Sequence, residues 1–206
     1  MKLLLDNIIF SLQKAGGISV VWSENLKRLA NDNDIDFKCL DYLGNNIFSK
    51  SIKLPEDKLI IKNPRVSLQI ERYLSPDVTI KDKTIFHSSY YRSLNDPKVH
   101  NITTVHDFTY EYYRKGLPKF IHKTQKYKSI YNSKTIICVS ENTKLDLLKF
   151  CPGISEEKIK VIYNGVDKDY KVVNENVDFI PFENGKYLLY VGDRKSIYKN
   201  FKMAVE

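Results

Sequence analysis

The stretch TIICVSENTKLDLLKFC, residues 135–151, decides the fold. Its first half is a short run rich in β-branched side chains, which reads as a buried strand over 134–140. Its second half carries apolar residues at helical spacing, which predicts a helix over 141–151. Ser140 stands at the junction, where a hydroxyl can accept from the free N–H groups of the first turn. Glu141 suits the positive end of the helix dipole. A strand that feeds straight into a helix is half of a βαβ unit.

Outward from this stretch the alternation repeats. Strands are predicted over 2–10, 36–42, 84–89, 101–106 and 158–163, and helices over 18–31 and 112–132. Residues 44–83 are less regular, with a short helix expected over 66–74. The pattern argues for an α/β fold, an open parallel Rossmann-like sheet with helices on both faces. Residues 167–185 are dominated by Asn, Asp, Glu and Lys and read as a connection. A new strand is expected from 186 to 191. The expected organisation is a first domain over 1–166, a connection over 167–185 and the start of a second domain over 186–206. One strand and a helical start cannot bury a core of their own. The chain is therefore expected to be the amino-terminal piece of a longer protein; the alternative is that the last strand joins the first sheet.

The charge balance, 33 − 25 = +8, suggests an anionic partner: nucleic acid, a membrane surface or a phosphorylated ligand. Nucleic acid is disfavoured, because no stacking platform or recognition-helix pattern appears. Cys39, Cys138 and Cys151 form an odd set without metal-ligand spacing, which fits a reducing cytosol. Residues 1–10 are too short and too polar for a signal peptide. No stretch approaches the roughly 20 apolar residues of a membrane span. The sequon Asn101-Ile102-Thr103 falls in a predicted buried strand.

Ligands of open α/β sheets bind at the carboxyl ends of the strands. Gly16-Gly17 follows the first strand and opens the first helix, where backbone N–H groups and the dipole suit a phosphate. The pair is equally a flexible turn, and it is not G-x-G-x-x-G, so a nicotinamide site is poorly supported. His106-Asp107 closes the strand NITTV: the imidazole can bond a sugar hydroxyl or phosphate, and Asp107 can orient it or accept from a hydroxyl. Asp107 can also simply cap the next helix. Ser140 and Glu141 border the same cleft but have the capping role as well. Asp32, Asp34 and Asp36 suggest a divalent metal, yet they lie between a helix end and a strand start, at the wrong edge, and read as a solvated turn. Residues 112–134 hold Arg114, Lys115, Lys119, Lys123, Lys126, Lys128 and Lys134 with no acid. Leu117, Phe120, Ile121, Thr124, Tyr127 and Tyr131 form one helical stripe, and Lys115, Lys119, Lys123 and Lys126 another. Such a helix can rest on an anionic bilayer, or it can be a core stripe with a charged back.

Five segments occur in order: FHSSYYR (86–92), TVHDFTYE (104–111), IICVSENTKLDLL (136–148), KVIYNGVD (160–167) and YVGDRKSIYKN (190–200). Together they resemble the amino-terminal half of family 4 retaining glycosyltransferases of the two-domain GT-B fold, of the kind that build bacterial surface polysaccharides, including lipopolysaccharide. The resemblance implies transfer of a sugar from a nucleoside diphosphate sugar to a glycan or lipid-linked acceptor, in the cytoplasm or on the inner face of the membrane. It implies that Arg194 and Lys199 hold the donor diphosphate, that Gly16 and Gly17 approach it, and that His106 contacts the donor sugar. Asp107, Ser140 and Glu141 map into the cleft. With cations on the leaving group, neither metal nor cofactor is expected. The resemblance places the family's Glu-x7-Glu segment within the second domain, beyond residue 206, so the 206 residues alone are expected to be inactive, and a reading frame roughly 150 residues longer is expected. The alternatives are a non-catalytic nucleotide- or sugar-binding module and a nucleotide-sugar isomerase of related fold.

Overall fold

The computed structural model describes residues 2–167, 170–172 and 189–206. They belong to two compact units, Met1–Asn164 and Gly165–Glu206. The first unit runs β1 (Lys2–Asp6), α1 (Ile9–Leu12), α2 (Gly17–Ala30), β2 (Phe37–Tyr42), β3 (Leu59–Lys62), α3 (Leu68–Glu71), β4 (Thr84–Ser88), β5 (Val99–Val105), α4 (Thr109–Tyr113), α5 (Gly116–Asn132), β6 (Thr135–Cys138), α6 (Glu141–Phe150) and β7 (Ile159–Val161). Its seven strands form one sheet in the order β3-β2-β1-β4-β5-β6-β7, with every pair parallel.

Register explains how both faces are covered. Leu5 pairs with Cys39, and Leu4 with Phe86, which in turn pairs with Asn101. Alternation sends these two sets to opposite faces. The Leu5 face packs against Trp22 and Leu26 of α2. On the other face Thr103 shares a 2.7 Å hydrogen bond with Ser129 of α5, and Leu147 of α6 packs with Val105, Ile136 and Cys138. Right-handed crossovers put helices on opposite faces when the chain winds outward in opposite directions from the centre. The reversal lies between β1 and β4. This is the open, parallel, doubly covered sheet expected, with Cys39 and Cys138 wholly buried. Asn101 is also buried: its side-chain amide donates to the carbonyl of Leu94 and its oxygen accepts from the Leu94 N–H.

Three local expectations are corrected. The first strand ends at Asp6, not at residue 10, because Asn7 turns the chain: its N–H donates to the Leu40 carbonyl, and its side-chain oxygen accepts from Trp22 Nε1 at 2.8 Å. Ile8 then leads into α1. The helix expected over 112–132 is two helices, broken at Gly116, whose φ of +68° is left-handed and suits glycine. The irregular region 44–83 contains β3 as well as α3.

In the second unit a 3-10 turn spans Ile197–Lys199 and α7 spans Phe201–Val205. The connection expected over 167–185 lies outside the described residues except for 167 and 170–172. The strand expected over 186–191 is described only from 189, and residues 189–191 have no regular secondary structure. Among the described residues no helix is long and apolar enough to cross a membrane.

Candidate functional site

The carboxyl ends of β1, β4, β5 and β6 share one edge of the sheet, because all the strands are parallel. The switch point of the winding lies there, and this is where open sheets leave a crevice.

His106 is the first residue past β5. It is mostly buried, and burial pushes its imidazole below the ordinary value, against the opposing pull of Asp107. A neutral imidazole can donate from one nitrogen and accept at the other. Asp107 is exposed, and its Oδ1 accepts from the Thr109 N–H at 2.9 Å. The N-cap of α4 is Phe108, so Asp107 supports the turn from one residue before the cap, and the second carboxylate oxygen is not used by that bond. The main chain here is held from α5: Lys126 Nζ donates to the Asp107 carbonyl at 3.1 Å and to Glu111 Oε2 at 2.7 Å. It also stands 3.9 Å from the centre of the Phe108 ring. Lys126 is fully buried, which corrects its place in the solvated basic stripe. Burial lowers its ammonium, and Glu111 opposes the shift.

Ser140 caps α6, its hydroxyl accepting from the Thr143 N–H at 3.1 Å, while Glu141 is exposed in the first turn. Thr143 Oγ1 donates to the His106 carbonyl at 3.4 Å, so the ends of β5 and β6 are tied together. Gly16 is the N-cap of α2 and Gly17 its first residue. A side chain at Gly16 would collide with Gln13, whereas the space beside Gly17 is open. His87 of β4 connects these parts. Its ring meets Trp22 of α2 edge-on at 5.1 Å, its Nε2 bonds Thr104 of β5 at 2.9 Å, and its charge couples to His106.

Sequence reasoning missed a buried polar cluster at the ends of β1, β2 and β4. Ser88 Oγ donates to Asp6 Oδ2 at 2.7 Å, and Ser89 Oγ donates to the Asp6 carbonyl at 2.7 Å. Arg92 Nε lies 3.5 Å from Asp6 Oδ2, and its Nη2 donates to Tyr42 Oη at 2.9 Å and lies 3.7 Å from Glu71 Oε1. Burial raises the Asp6 carboxyl, opposed by Arg92 and Ser88. Burial also works to raise Glu71, but the hydrogen bonds and charge of Arg65 outweigh it and hold that carboxyl below the ordinary value. Asp6 is wholly buried, and with Arg92 it fixes the chain after β4, where Tyr91 adopts a φ of +38°. FHSSYYR contained the signal, an arginine a few residues past an apolar strand, but its acidic partners are distant in sequence.

Arg194 and Lys199 lie in the second unit and are exposed. Asp193 organises their turn, accepting from the Lys195 N–H at 3.0 Å and from Ser196 Oγ at 2.5 Å. Arg194 lies 5.3 Å over the Phe201 ring. Asp32 Oδ1 accepts from the Asp34 N–H, and Asp36 pairs with Lys58 at 3.5 Å, the turn role expected of them.

The histidines should make stability fall with acid. The His87 imidazole is pushed down to about 4 by burial, against 6.5 when unfolded. Its neutral form is favoured by folding, so the stabilisation is complete above pH 6.5 and is lost as pH falls to about 4. At full protonation this loss amounts to about 3 kcal/mol. NMR titration should place the midpoints of His87 and His122 near 4 and that of His106 below 6.5. A His87 midpoint near 6.5 would remove this account of acid sensitivity.

A family model described as Glycosyltransferase Family 4 matches residues 12–170, most of the chain. No curated protein matches the chain.

Proposed function

The chain belongs to glycosyltransferase family 4, and from that premise we propose a specific reaction for the full-length protein. It transfers a sugar, with retention of configuration, from a nucleoside diphosphate sugar to a glycan or lipid-linked acceptor, in bacterial surface-polysaccharide synthesis. The observation that carries this reading is His106: a mostly buried imidazole, kept uncharged by desolvation, at the carboxyl end of a central strand and tied to α6 through its carbonyl.

In this reading His106 bonds the donor sugar near the reacting carbon, and Asp107 uses the carboxylate oxygen its turn leaves over. Gly16 and Gly17 offer the start of α2 to the diphosphate. Arg194 and Lys199 stabilise the negative charge that grows on the departing nucleoside diphosphate. Glu141 borders the cleft, and Ser140 acts through the cap it makes. Fixed cations do the work a divalent ion would otherwise do, so no metal is needed. The exposed basic and apolar surface of α5 supports a peripheral position on the anionic inner face of the membrane.

The test incubates the full-length protein with a panel of labelled nucleoside diphosphate sugars and membrane extract, with and without chelator. Label should enter an extractable glycan or glycolipid, the new linkage should keep the donor's anomeric configuration, and chelator should leave the rate unchanged. An inverted linkage overturns the retaining mechanism. Loss of activity on chelation, restored by manganese, overturns the cation assignment and returns attention to Asp32, Asp34 and Asp36.

A further inference from the structure

The buried side of helix α5 is largely polar. Gln125, Lys126, Ser129 and Ile130 are its buried residues. Leu117 and Phe120 are 68% and 67% exposed, and Ile121 is exposed beside them. With Thr124 and Lys128 these form one stripe along the helix. This corrects the core-stripe reading for Leu117, Phe120 and Ile121, although Tyr127 of the same expected stripe does pack against the core. Tyr73 and Leu74, just past α3, are exposed too. Between that segment and α5 lies a groove of about 310 Å³, walled by Leu74, Tyr91, Phe120, Ile121, Thr124 and Lys128. This is the size of a small-molecule site.

Charge narrows the occupant. No carboxylate lines the groove, whereas Lys128 and the buried Arg92 do. Gln125 and Arg92 also line it, and Gln125 Oε1 and Arg92 Nη1 are buried without a hydrogen-bond partner. One wall leads to the candidate site: Tyr91 lines the groove and its ring meets His122 edge-on at 5.7 Å, and His122 stacks at 3.9 Å on Tyr110 of α4, the helix that follows His106 and Asp107.

We propose that this groove binds the apolar chain of an anionic, lipid-linked acceptor, one molecule at a time. The inference rests on the transferase reading for the identity of the ligand, but not for its binding. The apolar walls suit a hydrocarbon chain, and Lys128 with its acid-free surroundings suits a phosphate attached to it. Tyr91, through His122 and Tyr110, joins the groove to the segment that follows His106, so the chain anchors the acceptor while its sugar end reaches the transfer site. A lipid bilayer held only by the exposed surface of α5 would not need the groove.

Calorimetry of the chain with hexyl, octyl and decyl phosphate, each below its micellisation concentration, tests the binding. Affinity should rise about fourfold per methylene until the groove is full. Inorganic phosphate should not bind measurably, and octyl glucoside should bind more weakly than octyl phosphate. Thr124→Trp fills the groove from an exposed position and should abolish binding with an unchanged circular dichroism spectrum. Lys128→Glu should weaken octyl phosphate about tenfold without changing the chain-length trend. Affinity independent of chain length, or wild-type binding by Thr124→Trp, overturns the proposal. So does equal binding of wild type and Thr124→Trp to phosphatidylglycerol vesicles with no binding of the monomeric phosphates, which would assign the surface to the bilayer. In the full-length enzyme, Thr124→Trp should raise KM for a long-chain phosphate-linked acceptor and leave kcat unchanged. Binding of the alkyl phosphates by a protein without transfer activity would instead remove the transferase reading and leave the groove in place.

Discussion

Replacing Lys126 by alanine should destabilise the first unit by about 3–5 kcal/mol, the cost of leaving one member of a buried ion pair uncompensated. The loss comes from several contacts at once. Lys126 is fully buried, bonded to Glu111 and to the Asp107 carbonyl, and stacked on Phe108. Its removal strands the Glu111 carboxylate, buried and without its cation. The double variant Lys126→Met with Glu111→Leu removes both charges and fills similar volume, so it should recover most of the stability. Urea melts of the wild type and of these variants would measure both effects. A loss below about 1 kcal/mol for Lys126→Ala would mean that Glu111 finds another partner or takes up a proton, and that the pair does not fix the 106–111 segment.

This residue also shows where the sequence was legible. Strand and helix types followed from period and from β-branched runs, because those patterns are local. The parallel sheet followed from the alternation of the two. Lys126 did not, since periodicity assigned it to a solvated face by its neighbours on the helix. Only the tertiary contact with Glu111, on a different helix, reveals why a lysine points inward. The Asp6–Arg92 cluster was hidden for the same reason, its members being drawn from chain separated by the connections between β1 and β4. By contrast His106 and Asp107 were visible, because a polar pair directly after an apolar strand is itself local. Gly116 marks an intermediate case: a glycine in a helical pattern is a known breaker, but the aromatic residues before it and the cations after it fit one continuous helix.

The largest effect on chemistry is expected from Arg194 and Lys199. If they stabilise charge on the departing diphosphate, Arg194→Ala or Lys199→Ala in the full-length enzyme should each lower kcat by about 10²–10³. Both should weaken binding of free nucleoside diphosphate, because the contact exists before and after transfer. His106→Ala should lower kcat comparably and leave binding of the free diphosphate nearly unchanged, since its target is the sugar. The comparison separates leaving-group contacts from sugar contacts, which a rate alone cannot do. Full turnover by His106→Ala would remove the imidazole from the mechanism.

The position of β1 has a consequence for how the chain folds. It begins at Lys2 and pairs on one side with β2 and on the other with β4, through Lys2 and Thr84. Of the strands in this sheet the one made first is therefore a central one, and one of its two edges stays open until residues 84–88 have been made. At about 5–20 residues per second this wait lasts roughly 4–16 s. During it Leu4, on the face later covered with Phe86, has no sheet to complete. Long-range parallel pairing of this kind is intrinsically slow to form. The nascent chain thus carries an adhesive edge for seconds, and shielding by a chaperone over that interval should govern the yield of folded protein more than the final stability does.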